Sequence, residues 1–154
     1  MNIYAFSDTH NSLMADRFLS LAQAADAIVF CGDGTKTLED LRAVVSCPIL
    51  SVRGNCDFSG KDVDFAVWEG HKIMCTHGHN YGVKYSLDTL DRAAEEAGAE
   101  IVFYGHTHVP DITKLNGRWL INPGSLTRPR DDFDRTFCIL HLDKNRIYPE
   151  MISY

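Results

Sequence analysis

The chain has 154 residues, of which 45% are hydrophobic and 23% charged, and its formal net charge is −6. A chain of this length can bury a core as one domain without disulfide or zinc cross-links. The negative charge disfavours broad nucleic-acid binding, and no run of Lys or Arg offers a local exception. No apolar run approaches the roughly twenty residues of a membrane-spanning helix. We therefore expect one soluble domain, residues 1–154, with neither membrane nor nucleic acid as a partner.

Cysteine usage and the amino-terminal residues bear on the cellular compartment. The 5 cysteines contain no C-x-x-C pair, and their odd number argues against a disulfide framework. Reduced cysteines are typical of cytoplasmic proteins. The chain enters an apolar run at once, from Met1 to Phe6, without the basic region and cleavage site of a secretory leader. We predict a cytoplasmic protein.

Short apolar runs recur along the chain, each followed by polar loop residues, and this pattern predicts buried strands. In chain order the runs are residues 3–6, 27–31, 49–52, 73–75 and 101–104. After residue 104 the pattern changes to short strands joined by turns. Asn116-Gly117 predicts a hairpin turn between strands at 112–115 and 119–121.

Helical periodicity lies in several of the intervals between these runs. The first helical stretch extends from Met14 to Ala25, and the last extends from Leu87 to Ala97. Between them, Thr37 and Asp40 stand in capping-box spacing and predict the start of a shorter helix. Strand and helix therefore alternate in the first half of the chain. We predict an α/β fold, a sandwich built on a mixed sheet.

Polar residues whose side chains can bind metals follow each of the five apolar runs. These residues are Asp8, His10, Asp33, Asn55, His77, His106 and His108. A single Asp after a strand is usually a turn former or a helix cap. The carboxyl ends of strands in open α/β sheets form the ligand crevice, so these loops are expected to converge. Their joint occurrence, in order, favours one metal site over separate structural roles.

The mixture of ligand types indicates the kind and number of ions. Carboxylate, amide and imidazole groups together suit transition metals, whereas Ca²⁺ and Mg²⁺ prefer all-oxygen shells. The candidate ligands outnumber those of one tetrahedral ion, and they suit two ions about 3.5–4 Å apart that share a carboxylate. We predict two divalent transition-metal ions as cofactors, Mn²⁺ first, with Zn²⁺, Fe²⁺ and Ni²⁺ as alternatives.

The order Asp-x-His, Gly-Asp, Gly-Asn, His-Gly-His and Gly-His-x-His resembles the calcineurin-like metallophosphoesterases. The short chain, Gly54-Asn55-Cys56-Asp57 and Asn122-Pro123-Gly124-Ser125 are similar to the compact prokaryotic YfcE-like branch. The resemblance implies a single metallophosphoesterase domain over residues 1–154. Its fold would be a four-layer α+β sandwich of two facing mixed β-sheets flanked by helices, with the metal site at the carboxyl ends of strands.

The same resemblance assigns roles to the candidate ligands. One ion would be held by Asp8, His10 and His108, and the other by Asn55, His77 and His106. Asp33 would bridge the two ions. The residues that the resemblance places in the catalytic centre are Asp33, Asn55 and His106.

Substrate contacts are expected on the loops beside these ligands. Cys56 stands where many relatives carry a histidine that binds phosphate or protonates the leaving group, and a thiol is a weak donor. His79 is a further candidate for a phosphate contact. Arg53, Arg128 and Arg130 suit bidentate phosphate recognition. For the arginines the alternative is a solvated loop charge, and for His79 a ring that points to solvent.

Two adjacent cations lower the pKa of a shared water towards about 7 and neutralise phosphoryl oxygens during in-line attack. We predict hydrolysis of small phosphodiester or phosphomonoester substrates by a metal-bridging hydroxide. Because Cys56 is a weak proton donor, we expect the highest activity on substrates with good leaving groups. One alternative is a low-activity binding or scaffold module on the same fold, like the related retromer subunit. A nuclease is a lesser alternative, which the acidic composition disfavours. A homo-oligomer is compatible with the sequence.

Overall fold

The structure, a computed structural model, describes residues 1–12, 16–130 and 132–154. The elements of the first part are β1 (Asn2–Phe6), α1 (Asp16–Ala22), β2 (Ala27–Phe30), α2 (Thr35–Val44), β3 (Ile49–Ser51), β4 (Val63–Trp68) and β5 (His71–Thr76). After a 3₁₀ turn at His79–Tyr81 come α3 (Asp88–Ala97), β6 (Ile101–Phe103), β7 (Pro110–Leu115), β8 (Arg118–Pro123), β9 (Thr136–Asp143) and β10 (Arg146–Ser153). None of the described helices is long and apolar enough to span a bilayer.

The strands form two mixed sheets of 5 strands each, ordered β10-β9-β1-β2-β3 and β4-β5-β6-β8-β7. In the first sheet β1, β2 and β3 are parallel and β9 is antiparallel to β1. In the second sheet β5, β6 and β8 are parallel, with antiparallel β4 and β7 at the edges. The parallel strands of each sheet therefore end at one edge, where their loops meet.

Side-chain alternation along β1 shows how the layers are arranged. Ile3 and Ala5 belong to the apolar cluster between the two sheets. Tyr4 and Phe6 face the other way and pack with Phe18 of α1 in a second cluster, which also contains side chains of α2. A third cluster joins α3 to the outer face of the other sheet. The order helix, sheet, sheet, helix confirms the predicted α/β four-layer sandwich.

The helices agree with the sequence pattern only in part. The last predicted helix is α3, and Gly98 ends it in the left-handed conformation with φ 66°. Of the first predicted helix the structure describes Asp16–Ala22, while Met14 lies outside the described residues. Strand β4 was not predicted, because Asp64 interrupts its apolar pattern at the edge of the sheet.

The predicted capping box at the start of α2 is wrong. The helix begins at Thr35 and has no side-chain cap at Gly34. Thr37 lies inside the helix, fully buried, and its hydroxyl oxygen is 2.7 Å from that of Thr9. The first N–H groups of the helix instead donate to Asp57, a residue of a later loop. A tertiary contact has replaced the local cap.

His71 connects the two sheets at the end away from the strand-end loops. Its Nδ1 is 3.0 Å from Glu100 Oε2, and its Nε2 is 3.1 Å from the carbonyl oxygen of Asp143. Both partners are acceptors at neutral pH, so both ring nitrogens donate when the ring is protonated. The hydrogen bond to Glu100 accordingly raises the pKa of His71, against partial burial, which lowers it.

His71→Gln is expected to lower the free energy of unfolding by about 1 kcal/mol near pH 6. A raised pKa contributes stability that is complete below the unfolded-state value of about 6.5 and is lost as the pH rises through the folded-state value. The loss should therefore shrink by about pH 8.5. Urea denaturation at both pH values measures it, and Glu100→Gln should show the same pH dependence. An equal loss of unfolding free energy at both pH values would show that the contact between His71 and Glu100 does not depend on the charge of the ring.

Candidate metal centre

The predicted ligands occupy the loops that follow β1, β2, β3, β5 and β6. Several of them have left-handed backbone, including Asp8 (φ 54°), Asp33 (φ 57°) and His106 (φ 71°). Positive φ is uncommon for residues other than Gly and costs energy, which the surrounding structure must supply. Backbone strain is thus concentrated on the loops that carry the candidate ligands.

Three of the predicted ligands form a tight group from opposite sheets. Asp8 and His10 follow β1, and His108 follows β6 on the facing sheet. His108 Nε2 is 3.3 Å from Asp8 Oδ1 and 3.1 Å from His10 Nε2. One ligand atom from each residue lies within 4.8 Å of those of the other two. This is the set that the family resemblance implies for one ion.

His77 lies at the centre of a second group. Its Nε2 is 3.2 Å from Asn55 Oδ1 and 3.4 Å from Asp33 Oδ2. The same Asp33 oxygen is 3.9 Å from His10 Nε2, so this carboxylate lies between the two groups. The ring of His106 is beside that of His77, with the centroids 5.1 Å apart. The structure brings all the predicted ligands to one edge of the sandwich.

The hydrogen-bonding state of the imidazoles shows that these residues fit metal ions. His77 Nδ1 is 2.7 Å from the carbonyl oxygen of Cys31, and His108 Nδ1 is 2.5 Å from that of Arg128. A carbonyl only accepts, so each Nδ1 carries a proton, and each Nε2 faces the site, where it can offer a lone pair to a metal ion once its own proton has left. Asp8 Oδ1 is buried there without a hydrogen-bond partner among the described residues. Lone pairs and carboxylates that converge in this way repel unless a cation lies between them.

Burial and neighbouring charges set the protonation of the site. Burial raises the pKa of Asp8, and the positive charge of His77 opposes it. Burial acts on Asp33 as well, but the hydrogen bond and charge of His77, with the N–H of Cys56 at 2.8 Å, hold the pKa of Asp33 well below its usual range. Burial, helped by the charge of His77, lowers the pKa of His106 to about 4. At neutral pH His106 is therefore an uncharged imidazole with a free lone pair.

Residues 1–145 match the family model of the calcineurin-like phosphoesterase superfamily domain. The chain belongs to this superfamily. The probable metallophosphoesterase YsnB of Bacillus subtilis is 34% identical over 151 residues, which cover 94% of this chain and 86% of YsnB. The predicted family is confirmed, and this chain is a metal-dependent phosphoesterase.

Two further proteins are similar to this phosphoesterase, one in sequence and fold and the other in fold. Phosphodiesterase YfcE of Escherichia coli K12 is 28% identical over 174 aligned positions, covering 93% of this chain and 89% of YfcE. A solved structure of YfcE, described as a phosphoesterase, superposes with a TM-score of 0.72 at 25% identity and covers 99% of both chains. Vps29 of Entamoeba histolytica, solved with Zn²⁺, gives a TM-score of 0.81 at 19% identity, also over 99% of both chains. At this identity the likeness to Vps29 shows the fold alone.

Asp57 connects two loops of the phosphoesterase that carry candidate ligands. Its Oδ2 accepts the N–H groups of Asp33 at 2.8 Å and Gly54 at 2.9 Å. Its Oδ1 accepts the N–H and the hydroxyl of Thr35 at the start of α2. Asp57 belongs to the motif Gly54-Asn55-Cys56-Asp57, which supports the family resemblance without indicating this role. The acidic residue two positions after Asn55 was the available signal.

Asp57→Ala is expected to lower the free energy of unfolding by about 2 kcal/mol, because several backbone donors of the phosphoesterase lose their acceptor. Metal affinity should fall by about tenfold or more, as for other residues that orient ligands. Calorimetric metal titration and urea denaturation measure the two effects. Asp57→Asn keeps one acceptor oxygen, so its metal affinity and its free energy of unfolding should lie between those of the alanine variant and the parent. Unchanged metal affinity in Asp57→Ala would show that the loops hold their positions without it.

The loop after β8 also supports the loops that carry candidate ligands in the phosphoesterase. Asn122 is fully buried and its amide donates to the carbonyl oxygen of Gly105 at 3.0 Å. The hydroxyl of Ser125 donates to the carbonyl oxygen of Asp8 at 2.7 Å. The Asn122–Ser125 segment therefore holds the loop that precedes His106 and the loop that carries Asp8. Its sequence carries the family resemblance without revealing these contacts.

Most of the predicted substrate residues lie on the rim of the centre. Cys56 is exposed, and partial burial with the nearby Asp33 carboxylate raises the pKa of its thiol. The ring of His79 lies 5.4 Å from that of His77, and its Nδ1 has no partner within the described part of the chain. Arg128 lines a depression of about 200 Å³ with His10 and His108.

The remaining arginines, Arg53 and Arg130, differ in whether they form an ion pair with a carboxylate among those that the structure describes. Arg53 Nε is 2.8 Å from Asp62 Oδ1, so this guanidinium is already paired. The pKa of His79 is lowered mainly by burial of its ring. The positive charge of Arg53 lowers it further. Arg130 lines the same depression as Arg128. Arg128 and Arg130 are thus better placed than Arg53 to meet a phosphate beside His10.

Proposed function

We propose that this phosphoesterase holds two divalent transition-metal ions and hydrolyses small phosphodiesters or phosphomonoesters. The observation that carries the proposal is the position of Asp33 Oδ2, 3.4 Å from His77 Nε2 and 3.9 Å from His10 Nε2. A carboxylate between two groups of candidate ligands suits a bridging role. Asp8, His10 and His108 would hold one ion, and Asn55, His77 and His106 the other.

These residues would hold two ions, which would supply an activated water molecule and positive charge for the phosphoryl group. The protein residues provide the setting for this chemistry. Asp33 remains an anion because its pKa is lowered, and His106 remains uncharged. Arg128 lies beside His10 and His108, where its guanidinium can bind phosphoryl oxygens. The Cys56 thiol stays protonated and is a weak acid, so substrates with good leaving groups are favoured.

A panel of metals and substrates tests the proposal. The purified chain, loaded in turn with Mn²⁺, Zn²⁺, Fe²⁺ or Ni²⁺, should hydrolyse an aryl phosphate and an aryl phosphodiester, with Mn²⁺ expected to serve best. Two bound ions per chain should accompany full activity. Turnover that survives complete chelation would refute metal dependence, and full activity with one ion per chain would refute the dinuclear centre.

The alternative is a scaffold with little catalysis. Its support is the Cys56 substitution and the likeness to the fold of Vps29. The complete set of candidate ligands argues against it, because a scaffold without a working metal centre would not need the imidazoles and carboxylates of the site to converge. Turnover no faster than that of the same metal ions in buffer, with a stable protein partner, would favour the scaffold. Cleavage of DNA or RNA at low salt would instead favour the nuclease.

Lys84 is a further candidate for substrate binding in the proposed reaction, and no sequence motif predicted it. Its side chain is exposed on the loop after His77. Its positive charge reaches His106, where it helps to lower the pKa after burial and His77. Lys84 also lines a shallow depression with Thr107, the neighbour of His106. No motif surrounds it, so the sequence offered no signal.

Lys84→Ala is expected to raise KM for a phosphomonoester about fivefold while changing kcat less than about twofold, because a ground-state charge contact is lost. A diester, which carries one negative charge fewer, should show a smaller effect. Steady-state kinetics on matched aryl substrates distinguish the two. Lys36→Ala, on the exposed face of α2, is the control for removing one surface charge. Identical KM values for Lys84→Ala and the control would rule the contact out.

A further inference from the structure

A shallow depression lies at the end of the sandwich opposite the metal centre. Its volume is about 370 Å³, and its lining includes His71, Lys114, Trp119, Lys144 and Arg146. We call it the basic end depression. It contains none of the candidate metal ligands or predicted substrate residues.

The strand directions explain why these residues meet. Lys114 is opposite Trp119 in the β7–β8 hairpin, near the turn that joins those strands. Lys144 lies in the turn between β9 and β10, and Arg146 opens β10. Because β9 is antiparallel to β1, the turn after β9 is at the end where β1 begins, away from the metal-binding loops. Two hairpins, one from each sheet, therefore place their cations together.

The charge of this depression departs from that of the chain, whose formal net charge is −6. Lys114, Lys144 and Arg146 are exposed and form no ion pair with a carboxylate of residues 1–12, 16–130 or 132–154. The nearby carboxylates of Glu100 and Asp143 accept hydrogen bonds from other groups. Glu100 pairs with His71 at 3.0 Å, and Asp143 Oδ1 accepts the N–H of Asn145 at 2.8 Å.

Aromatic rings hold two of these cations without neutralising them. Lys114 Nζ is 5.0 Å from the centroid of the Trp119 ring. The Arg146 guanidinium is 4.9 Å from the centroid of the Tyr148 ring. A cation over an aromatic face keeps its full charge and loses part of its freedom. Lys114 is therefore partly preorganised for an anion, whereas Tyr148 lines a neighbouring depression with Arg146, so that this guanidinium must turn from the ring to reach a ligand here.

We propose that the basic end depression binds a small anion with two or more linked phosphate groups. Arg146 can bind one phosphate through two parallel N–H groups, while Lys114 and Lys144 supply point charges for the next. The depression is too small, and the rest of the chain too acidic, for an extended nucleic acid. The site is independent of the proposed hydrolysis, because it shares no residue with the metal centre.

Titration with inorganic pyrophosphate tests this site in the zinc-loaded protein. The indole N–H resonance of Trp119, assigned with a Trp68→Phe variant, reports on the depression separately from the metal centre. It should shift and saturate, and binding should weaken as salt rises. Lys144→Ser combined with Arg146→Ser should weaken this binding at least about tenfold. Orthophosphate should bind more weakly than pyrophosphate.

Lys36→Ser combined with Arg92→Ser removes the same charge from exposed helix positions and serves as the matched control. Its affinity for pyrophosphate at Trp119 should equal that of the parent. Both double variants lie at exposed sites, and the remaining indole and methyl resonances verify the fold. An unmoved Trp119 resonance in the parent would overturn the proposal. So would equal affinities in the two double variants, which would show only non-specific screening.

Discussion

Asp33→Ala should lower kcat for an aryl phosphate by about a thousandfold or more. Removing the carboxylate between the two ligand groups deprives both predicted ions of a shared anion, and several kcal/mol of charge stabilisation correspond to a loss of this size. The substitution also removes the acceptor of the Cys56 N–H, 2.8 Å from Asp33 Oδ1. The Asn55 loop should therefore loosen as well.

Metal content and turnover, measured on the same samples, decide the outcome for Asp33→Ala. We expect fewer than two ions per chain together with the loss of turnover. Asp40→Ala, which removes a partly exposed carboxylate from the nearby helix α2, should keep both properties at parental levels. An Asp33→Ala protein that retains two ions and more than about a tenth of the activity would show that the carboxylate does not bridge.

Gly54→Ala should disrupt the same centre without removing a ligand. A Cβ at this position would overlap Asp33 Oδ1 and would lie 2.5 Å from Asp33 Cγ and 2.6 Å from the Asp33 backbone nitrogen. Carbon atoms do not approach so closely, and the neighbour includes backbone, so Asp33 must move. We expect metal affinity to fall by about tenfold or more and the free energy of unfolding by roughly 1–3 kcal/mol.

Gly98→Ala separates this effect from the general cost of replacing a glycine. Gly98 has φ 66°, and a Cβ there would meet nothing within 4 Å. Its replacement should therefore cost roughly 1 kcal/mol of backbone strain and leave metal binding unchanged. Calorimetric metal titration and urea denaturation of both variants measure the difference. Equal metal affinities in the two variants would contradict the close approach at Gly54.

The positions of the buried strands and the candidate ligands were predictable because local patterns encode both, whereas the four-layer order was implied by the family resemblance. A buried parallel strand appears as a continuous apolar run, and the loop after it carries ligands at fixed positions. Asp8 and His108 are 100 positions apart, yet each is recognisable from its own strand and motif. Their meeting requires in addition that the two sheets face each other with these strand ends at the same edge, an arrangement that the family resemblance implied.

Other features depend on contacts that no local pattern records. Asp57 caps α2 from a later loop, so the Thr37–Asp40 spacing misled the prediction of the helix start. The basic end depression joins Lys114 to Arg146 from separate hairpins, and a search for runs of Lys or Arg in the sequence cannot find it. Such features appear only once the register of both sheets is known.

The candidate ligands are divided between the two sheets, which has a consequence for the whole fold. Asp8 and His10 follow a strand of the first sheet, while His108 follows a strand of the second. In the other group Asn55 belongs to the first sheet, and His77 to the second. Each predicted ion would thus act as a cross-link that fastens one layer to its neighbour. Metal loading should then raise the melting temperature by mass action and slow amide exchange along the interface between the sheets.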